Sequence, residues 1–306
     1  MKPNISTIIC SHNPNGEYIE RVLDALKSQT LSLEQWELLL IDNASSEPLQ
    51  ERVDLSWHPQ ARHIREDRLG LTPARLCGIK EAQAEVIVFV DDDNVLESDY
   101  LEIVLRISQE WPMLGAWGGQ TIPEFEEQPP DWTEPYWGYL AIREFDRDKW
   151  SNLLHQNETT PCGAGLCIRK VVANKYLKLA HNDPKRMNLG RKGAVILSGE
   201  DIDLAYTSSD LGLGMGLFTS LKLMHLMPAS RLSEDYLLKV VKGSTYSQVI
   251  LDSLRGIIPP KRSLSSKLLL QIRRSLMEPR SRRFHDAYFG GFNLAVTELS
   301  EIKYNT

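Results

Sequence analysis

The chain has 306 residues, 42% hydrophobic and 25% charged, an ordinary globular composition with length enough to bury a large core. Its net charge of −6 argues against nucleic acid as the main partner, because phosphate binding needs a basic footprint. No stretch approaches about 18 uninterrupted apolar residues, so no membrane-spanning helix is predicted.

Taken in order, Ile5–Cys10 is a β-branched run ending in the turn-rich Ser11-His12-Asn13-Pro14-Asn15-Gly16. Ile19, Val22, Leu23 and Leu26 then mark one face of a helix. Glu37–Ile41 is a second apolar run, stopped by Asp42-Asn43. A short segment around His63-Ile64 precedes a helix opened by Thr72-Pro73, with proline in its favoured first turn. Val86–Val90 is the most apolar strand, ended by three aspartates, and a helix from about Ser98 follows with Leu101, Val104 and Leu105 on one side. Strands that are apolar throughout imply burial on both faces. With helices between them, they predict an α/β fold, Rossmann-like, with a mainly parallel central sheet flanked by helices. Ligands of such sheets sit at the carboxyl ends of the strands, where Ser11–Asn13, Asp42-Asn43 and Asp91–Asn94 all fall.

From Glu124 to Trp150 the composition shifts to prolines and large rings (Trp132, Tyr136, Trp137, Tyr139, Trp150), a long insertion of the functional kind. Two readings stand for these rings: stacking on a sugar or lipid-linked acceptor, or closing the core beneath a loop. Beyond it, 162–169 reads as a strand, 200–211 as a helix, 221–227 as a strand, and the chain from about 245 as helical. Gly212–Gly216 follows a helix rather than opening one, so it reads as a C-terminal cap and turn. The start MKPNISTIICSHN turns polar too early for a secretory h-region, which predicts a cytoplasmic protein. Cys10, Cys77, Cys162 and Cys167 then read as reduced residues in apolar surroundings, with no zinc-site spacing.

Two acidic clusters carry the chemistry. Asp91-Asp92-Asp93 emerge together from a buried strand and repel one another unless a cation neutralises them. Hard oxygen ligands suit Mg²⁺ or Mn²⁺, which commonly share a site with substrate phosphates. The plainer alternative is a solvated acidic turn capping the next helix. Ser198-Gly199-Glu200-Asp201 is ordinary helix-start chemistry, yet a carboxylate fixed there also serves as a general base when it faces a cleft.

The ordered set ISTIICSHNPNGEYIERVLDALKSQ, WELLLIDNAS, EDRLGLTPARLCGIKEAQAEVIVFVDDDN, GAGLCIRK and GEDIDL resembles the family 2 glycosyltransferases of the GT-A fold, over about three quarters of the chain. Cys10-Ser11-His12 stands where Pro-Thr-Tyr is more usual, and a third Asp fills the middle of the DXD motif. The resemblance implies a metal-dependent, inverting transferase using a nucleotide-diphospho sugar, with UDP favoured. It implies that Ser11, His12, Asn13 and Asp42 hold the base, with Arg68 near base or phosphates. Asp92 then lies by the ribose, and Asp93 with Asp91 on the metal. Asp201 is the implied catalytic base, with Glu200 beside it, and Gly163-Ala164-Gly165 let the donor sugar approach the backbone. His225 completes the metal shell or touches the diphosphate, and Arg231 clamps a phosphate. The implied acceptor is a glycan or lipid-linked hydroxyl, in polysaccharide assembly. Two other classes remain open at this stage: a sugar-1-phosphate nucleotidylyltransferase and a non-catalytic sugar-nucleotide-binding scaffold.

A transferase domain is expected over 1–240 (nucleotide-sugar half 1–120, acceptor half 121–240), with a helical C-terminal extension over 241–306. Residues 261–306 hold nine Lys/Arg against four Asp/Glu, and the other 260 residues hold 26 against 37. Lys261, Arg262, Lys267, Arg273, Arg274, Arg280, Arg282 and Arg283 surround the apolar run Leu268–Ile272. That pattern suits peripheral contact with anionic lipid at the inner face of a membrane, or equally a solvated helix packed on the main domain.

Overall fold

Residues 2–153, 158–192, 196–259 and 263–304 are described by the computed structural model. The apolar runs become the sheet. β1 (Ile5–Ser11) is buried at every position and leads through α1 (Gly16–Lys27) into β2 (Trp36–Asn43), also buried throughout. Asn15 caps α1 by accepting from the Glu17 and Tyr18 amides, and the predicted face Ile19, Val22, Leu23 and Leu26 is buried. β3 (Ala61–Glu66), α2 (Leu71–Glu81) and β4 (Val86–Asp91) complete the first half. Next come β5 (Asn94–Leu96), α3 (Tyr100–Glu110) and β6 (Leu114–Phe125). The insertion holds a 3-10 segment, Asp131–Leu140, and β7 (Lys149–Ser151). β8 (Cys167–Arg169), α4 (Lys170–His181), α5 (Pro184–Met187), α6 (Glu200–Tyr206) and β9 (Gly214–Met227) follow. After a 3-10 turn at Ala229–Leu232, the chain ends in α7 (Glu234–Leu254), α8 (Leu264–Ser275) and α9 (Pro279–Tyr304).

The sheet order among the described residues is β3-β2-β1-β4-β8-β6-β9-β5, with β7 alongside β9. β3, β2, β1 and β4 are mutually parallel, as are β6 and β9, whereas β8 runs antiparallel to both β4 and β6. The sheet is therefore mixed and mostly parallel, flanked by helices. Strand order reverses beside β1, which places a crevice at its carboxyl end. There the register sets Ser11 beside Asp42 and Cys10 beside Asp91.

Two apolar layers flank the sheet. Val22, Leu26, Trp36, Leu38, Val104 and Trp117 fill the side of α1 and α3. Ile8, Ile41, Ile79, Ile168, Tyr176 and Leu204 fill the side of α2, α4 and α6. A Cβ on Gly78 would meet Ile8 Cγ2 at 2.6 Å, so α2 owes its close approach to β1 to that glycine.

Several bounds differ from the sequence reading for local reasons. The strand read over 162–169 is ordered as β8 only from Cys167, because Gly165 takes φ +68° and bends the chain before it. The helix read over 200–211 ends at Tyr206 and passes to a 3-10 turn closed by left-handed Gly212, the cap expected there, whereas Gly214 to Gly216, read as part of the same turn, already open β9 by pairing beside β6 and β7. The strand at 221–227 is the end of the longer β9. The terminal helices start at Glu234 rather than near 245, since Ser233 accepts from the Tyr236 amide as an N-cap. α7 then runs unbroken through position 240.

Within the aromatic insertion the rings divide. Tyr136 stacks on Phe284 at 3.8 Å, Trp137 packs on Phe125, and the Arg280 guanidinium covers Trp132 at 4.4 Å. These rings close a core with α7 and α9. Tyr139 instead lies on a cavity wall, and Trp150 is half exposed against Trp111.

Candidate active site

A cavity of about 290 Å³ opens at the carboxyl ends of β1 and β4. Its wall is assembled from the turn after β1, the start of α2, the acidic end of β4, Tyr139 to Ala141, the Gly163 loop, Arg191, the start of α6, and the end of β9 with the turn after it. The principal parts are positioned by identifiable local causes. β5 pairs antiparallel with β9 so that Asn94 faces His225, and the Leu226 amide donates to the Asp93 carbonyl at 2.9 Å. The 3-10 turn after β9 then brings Arg231 round, and its Nη2 meets Asp93 Oδ2 at 2.7 Å. His225 Nε2 lies 3.5 Å from the same oxygen and 3.1 Å from Arg231 Nη1. Burial works to raise Asp93, but His225 and Arg231 outweigh it and hold its carboxyl well below the usual range.

Asp92 behaves oppositely. It accepts from the Ser11 hydroxyl, yet burial and the neighbouring Asp93 charge push it up to about 7. Asp91, a third exposed, is paired with Arg75 Nη2 at 3.1 Å.

The Gly163 amide donates to Asp201 Oδ2 at 2.6 Å, so Asp201 is tied to the loop before β8 rather than capping its own helix. Its other oxygen, Oδ1, is buried without a partner among the described residues. Beside it Glu200 is 4% exposed and is pushed up to about 7 by burial and by Asp201, against the pull of Arg75. Arg75 joins the two acidic clusters: Nη1 meets Glu200 Oε1 at 2.7 Å while Nη2 holds Asp91, and its guanidinium lies 5.3 Å from the Phe89 ring centre. A Cβ on Gly163 would stand 2.7 Å from Arg75 Nη2 and 3.0 Å from Asp201 Oδ2. A glycine at 163 thus lets the loop lie close against Arg75 and Asp201, and Gly163 and Ala164 line the cavity beside them.

Ser11, His12, Asp91, Asp92, Asp93, Gly163, Ala164, Glu200, Asp201, His225 and Arg231 thus meet in one cavity. Asn13, Asp42 and Arg68 stand outside its lining. Asn13, at φ +48°, accepts from the Ser46 amide and hydroxyl and so ties the β1 turn to the loop after β2. Asp42 accepts from the Ser45 and Leu49 amides and pairs with Arg65 at 2.6 Å. Burial opposes this, but those bonds hold its carboxyl below the usual range. Arg68 is two-thirds exposed and paired with Glu66. Next to Asp42, Asn43 organises the approach to α2: its amide donates to the Arg68 carbonyl at 2.8 Å and its oxygen accepts from the Gly70 amide.

Sequence reasoning missed Arg75, Arg191 and Tyr236 on the cavity wall. For Arg75 a signal existed. α2 buries residues on all sides, including Arg75 itself, and a buried cation in such a helix demands carboxylate partners.

A family model for glycosyl transferase family 2 matches residues 6–176, more than half of the chain. The chain belongs to this family. Among its relatives, the putative glycosyltransferase EpsH of Bacillus subtilis is 27% identical over 106 residues, 34% of this chain and 30% of that protein. Polypeptide N-acetylgalactosaminyltransferase 8 of Drosophila melanogaster is 30% identical over 104 residues, 33% of this chain and 18% of its own length. The match therefore spans less than a third of either relative. The crystal structure of S. aureus TarS 1-349 superposes with a TM-score of 0.53 at 12% identity, covering 99% of this chain and 92% of that one. Its complex with UDP gives 0.52 at 13%, with the same coverage. At that identity the likeness concerns the fold, and the fold of this family 2 chain is the GT-A fold.

The residues at the end of β4 were tested against a divalent cation. Carboxylate oxygens and an imidazole are suitable donors for Mg²⁺ or Mn²⁺. Five carboxyl groups on this wall face three arginines, Arg75, Arg191 and Arg231, and Asp92 and Glu200 are pushed up to about 7, as crowded acids are where no cation neutralises them. His225 Nδ1 and Asn94 Oδ1 are buried without partners among the described residues. As the side chains stand, no three acidic, His or Cys side chains among the described residues are gathered into an ion cage. Arg231 occupies the Asp93 oxygen that an ion would take. The donor chemistry fits, with Arg231 holding the place of a cation.

Proposed function

We propose that the protein transfers a sugar from a UDP-sugar to a hydroxyl of a glycan or lipid-linked acceptor, with inversion at the anomeric carbon. The observation that carries this reading is Asp201. Its carboxylate is fixed by the Gly163 amide, keeps one buried oxygen without a partner, and lines the cavity that the Asp91–Asp93 turn also lines. In this reading Asp201 accepts the acceptor's proton as the acceptor oxygen forms its bond to the anomeric carbon. The bond from that carbon to the diphosphate breaks on the opposite face and the electron pair leaves with UDP. One displacement inverts the configuration, with no covalent sugar–protein species.

In this reading Asp92 and Ser11 meet the ribose and His12 the base. Arg231, released from Asp93, would pair with the diphosphate. A divalent cation held by Asp93, Asp91 and His225 would supply further charge against the departing diphosphate. Glu200 and Arg75 keep the acidic turn and the base helix in fixed relation. TarS in its UDP complex supports UDP as the nucleotide. In this reading 1–240 is the catalytic unit and 241–306 its helical extension, although α7 spans the junction.

Thermal unfolding with UDP, GDP, dTDP and CMP, each with and without Mn²⁺, tests the donor site on wild type and Asp93→Ala. A ligand at about 100 times its Kd stabilises by roughly 2.7 kcal/mol. The expected result is stabilisation by UDP that needs metal and is absent in Asp93→Ala. Indifference to every nucleotide removes the transferase reading.

A further inference from the structure

The catalytic reading leaves one surface without a use. On α8 and at its C-cap, Leu268, Leu269, Ile272 and Leu276 are 59%, 69%, 51% and 82% exposed. At 3.6 residues per turn they fall within an arc of about 100° on one side of the helix. Ile257 and Ile258, in the segment before α8, are exposed as well. Leu270, on the other side of the helix, is partly covered. A contiguous exposed apolar stripe of this kind marks an interaction surface rather than ordinary surface scatter.

The charge around the stripe specifies the partner. Residues 261–277 contain Lys261, Arg262, Lys267, Arg273 and Arg274 and no Asp or Glu. Lys261 and Arg262 lie outside the described residues. Arg274 is answered by Asp286 on α9, with both contacts at 2.6 Å, while Arg273 has no partner among the described residues. The 260 residues before position 261 are strongly acidic, with 37 Asp/Glu against 26 Lys/Arg. An anionic surface therefore attracts this end of the molecule and repels the rest, which fixes an orientation.

We propose that α8 lies flat on an anionic lipid bilayer, its Leu268–Leu276 stripe sunk into the headgroup region and Arg273, at the edge of the stripe, on the lipid phosphates. Twelve residues of helix extend about 18 Å, short of the roughly 30 Å hydrocarbon core, so α8 rests on the membrane without crossing it. No helix among the described residues is long and apolar enough to cross. The attachment reaches the cavity through α9. Arg280 and Arg283 pair with Glu234 at 3.3 and 2.7 Å, three residues beyond Arg231 on the cavity wall. Phe284 stacks on Tyr136, in the 3-10 segment whose Tyr139 lines the cavity. A bilayer under α8 is thereby fastened to the segments that wall the site, a geometry suited to an acceptor presented at a lipid surface. The docking surface is independent of the transferase reading, because it is measured without substrate.

The test is co-sedimentation of the full chain with vesicles of phosphatidylcholine alone and of phosphatidylcholine with phosphatidylglycerol. Leu269→Ser/Ile272→Ser removes half of the stripe, and Arg273→Glu reverses a flanking charge. Wild type should pellet with the anionic vesicles and stay in solution with the neutral ones. Each variant should partition roughly tenfold or more weakly, a difference equivalent to about 1.4 kcal/mol, with an unchanged melting temperature showing that the fold is kept. Binding should fall as salt is raised. Equal binding to neutral vesicles, or equal binding by wild type and the double variant, overturns the proposal. So does a wild-type dimer in light scattering that the double variant converts to monomer, since a second copy then covers the stripe.

Discussion

Asp201→Asn keeps the shape of the side chain and removes its charge. The oxygen that accepts from the Gly163 amide at 2.6 Å can still do so, and the scaffold around α6 has no reason to move. Loss of the proton acceptor should lower the single-turnover rate by about 10² to 10⁴, which is roughly 3–5 kcal/mol on the barrier. In the proposed reading UDP is held at the other end of the cavity, so its affinity should change by less than about threefold. Stability should rise slightly. Burial first and the Asp201 charge second push Glu200 up from 4.5 to about 7, a cost on the order of 3 kcal/mol against its charged form. Relief of the Asp201 part is on the order of 1 kcal/mol. At about 2.1 cal/mol/K per residue, that is roughly 2 °C for a chain of this length. The sign with pH follows from the same group. Its pKa is higher folded than unfolded, so the native state binds the extra proton between about 4.5 and 7, and stability falls as pH rises through that window. In Asp201→Asn that fall should be shallower. Rapid-quench measurement of UDP release, calorimetric UDP titration and melting curves at about pH 5 and about pH 7.5 give the three readouts. A rate loss under about tenfold, or a loss of UDP affinity with the fold intact, would falsify the base assignment.

Two further changes probe the supports of the site. Gly163→Ala puts a methyl 2.7 Å from Arg75 Nη2 and 3.0 Å from Asp201 Oδ2, so the turnover rate should drop while UDP affinity and the circular dichroism spectrum persist; an unchanged rate would show that the loop yields freely. Asp203→Ala strips a fully buried carboxylate from Arg186 and Arg255, whose side chains are 8% and 6% exposed. Among the described residues Arg186 then pairs only with Asp183 at 3.8 Å and Arg255 only with Asp210 at 3.5 Å, so the loss should cost up to about 3–5 kcal/mol, or roughly 5–8 °C in the melting temperature, and a shift below about 2 °C would mean that these second partners or water relieve both arginines.

How much of this was legible in the sequence depended on the range of the interaction. β1, β2 and β4 announced themselves as continuous apolar runs because both of their faces are covered, and the polar ends of those runs marked the crevice. The acids at 91–93 and 200–201 were likewise visible, since a charge at the end of a buried strand or the start of a helix needs an explanation. Pairings set by register were not. Asp42 lies opposite Arg65 only once β2 and β3 are aligned in parallel, and that alignment turns the carboxylate toward its own loop. Arg231 reaches Asp93 through the β5–β9 pairing and a 3-10 turn, two steps that local pattern does not encode. The helical third was visible, but its beginning was not, because the Ser233 cap lies before the periodic stretch that signals a helix.

The clamp on Asp203 sets a limit on how this protein can be recombined. Arg255, just past the end of α7, reaches back to α6 and holds Asp203 at 2.7 Å, two residues from Asp201. The family match ends at residue 176, well before either partner. A fragment trimmed to the first 240 residues, or a chimera cut between positions 203 and 255, would carry Asp203 with Arg186 alone and leave α6 free of its far anchor. Exchange of segments between members of the family should therefore succeed only when the parent that supplies α6 also supplies α7 through Arg255. The inheritable unit of this active site is a pair of segments far apart in the chain.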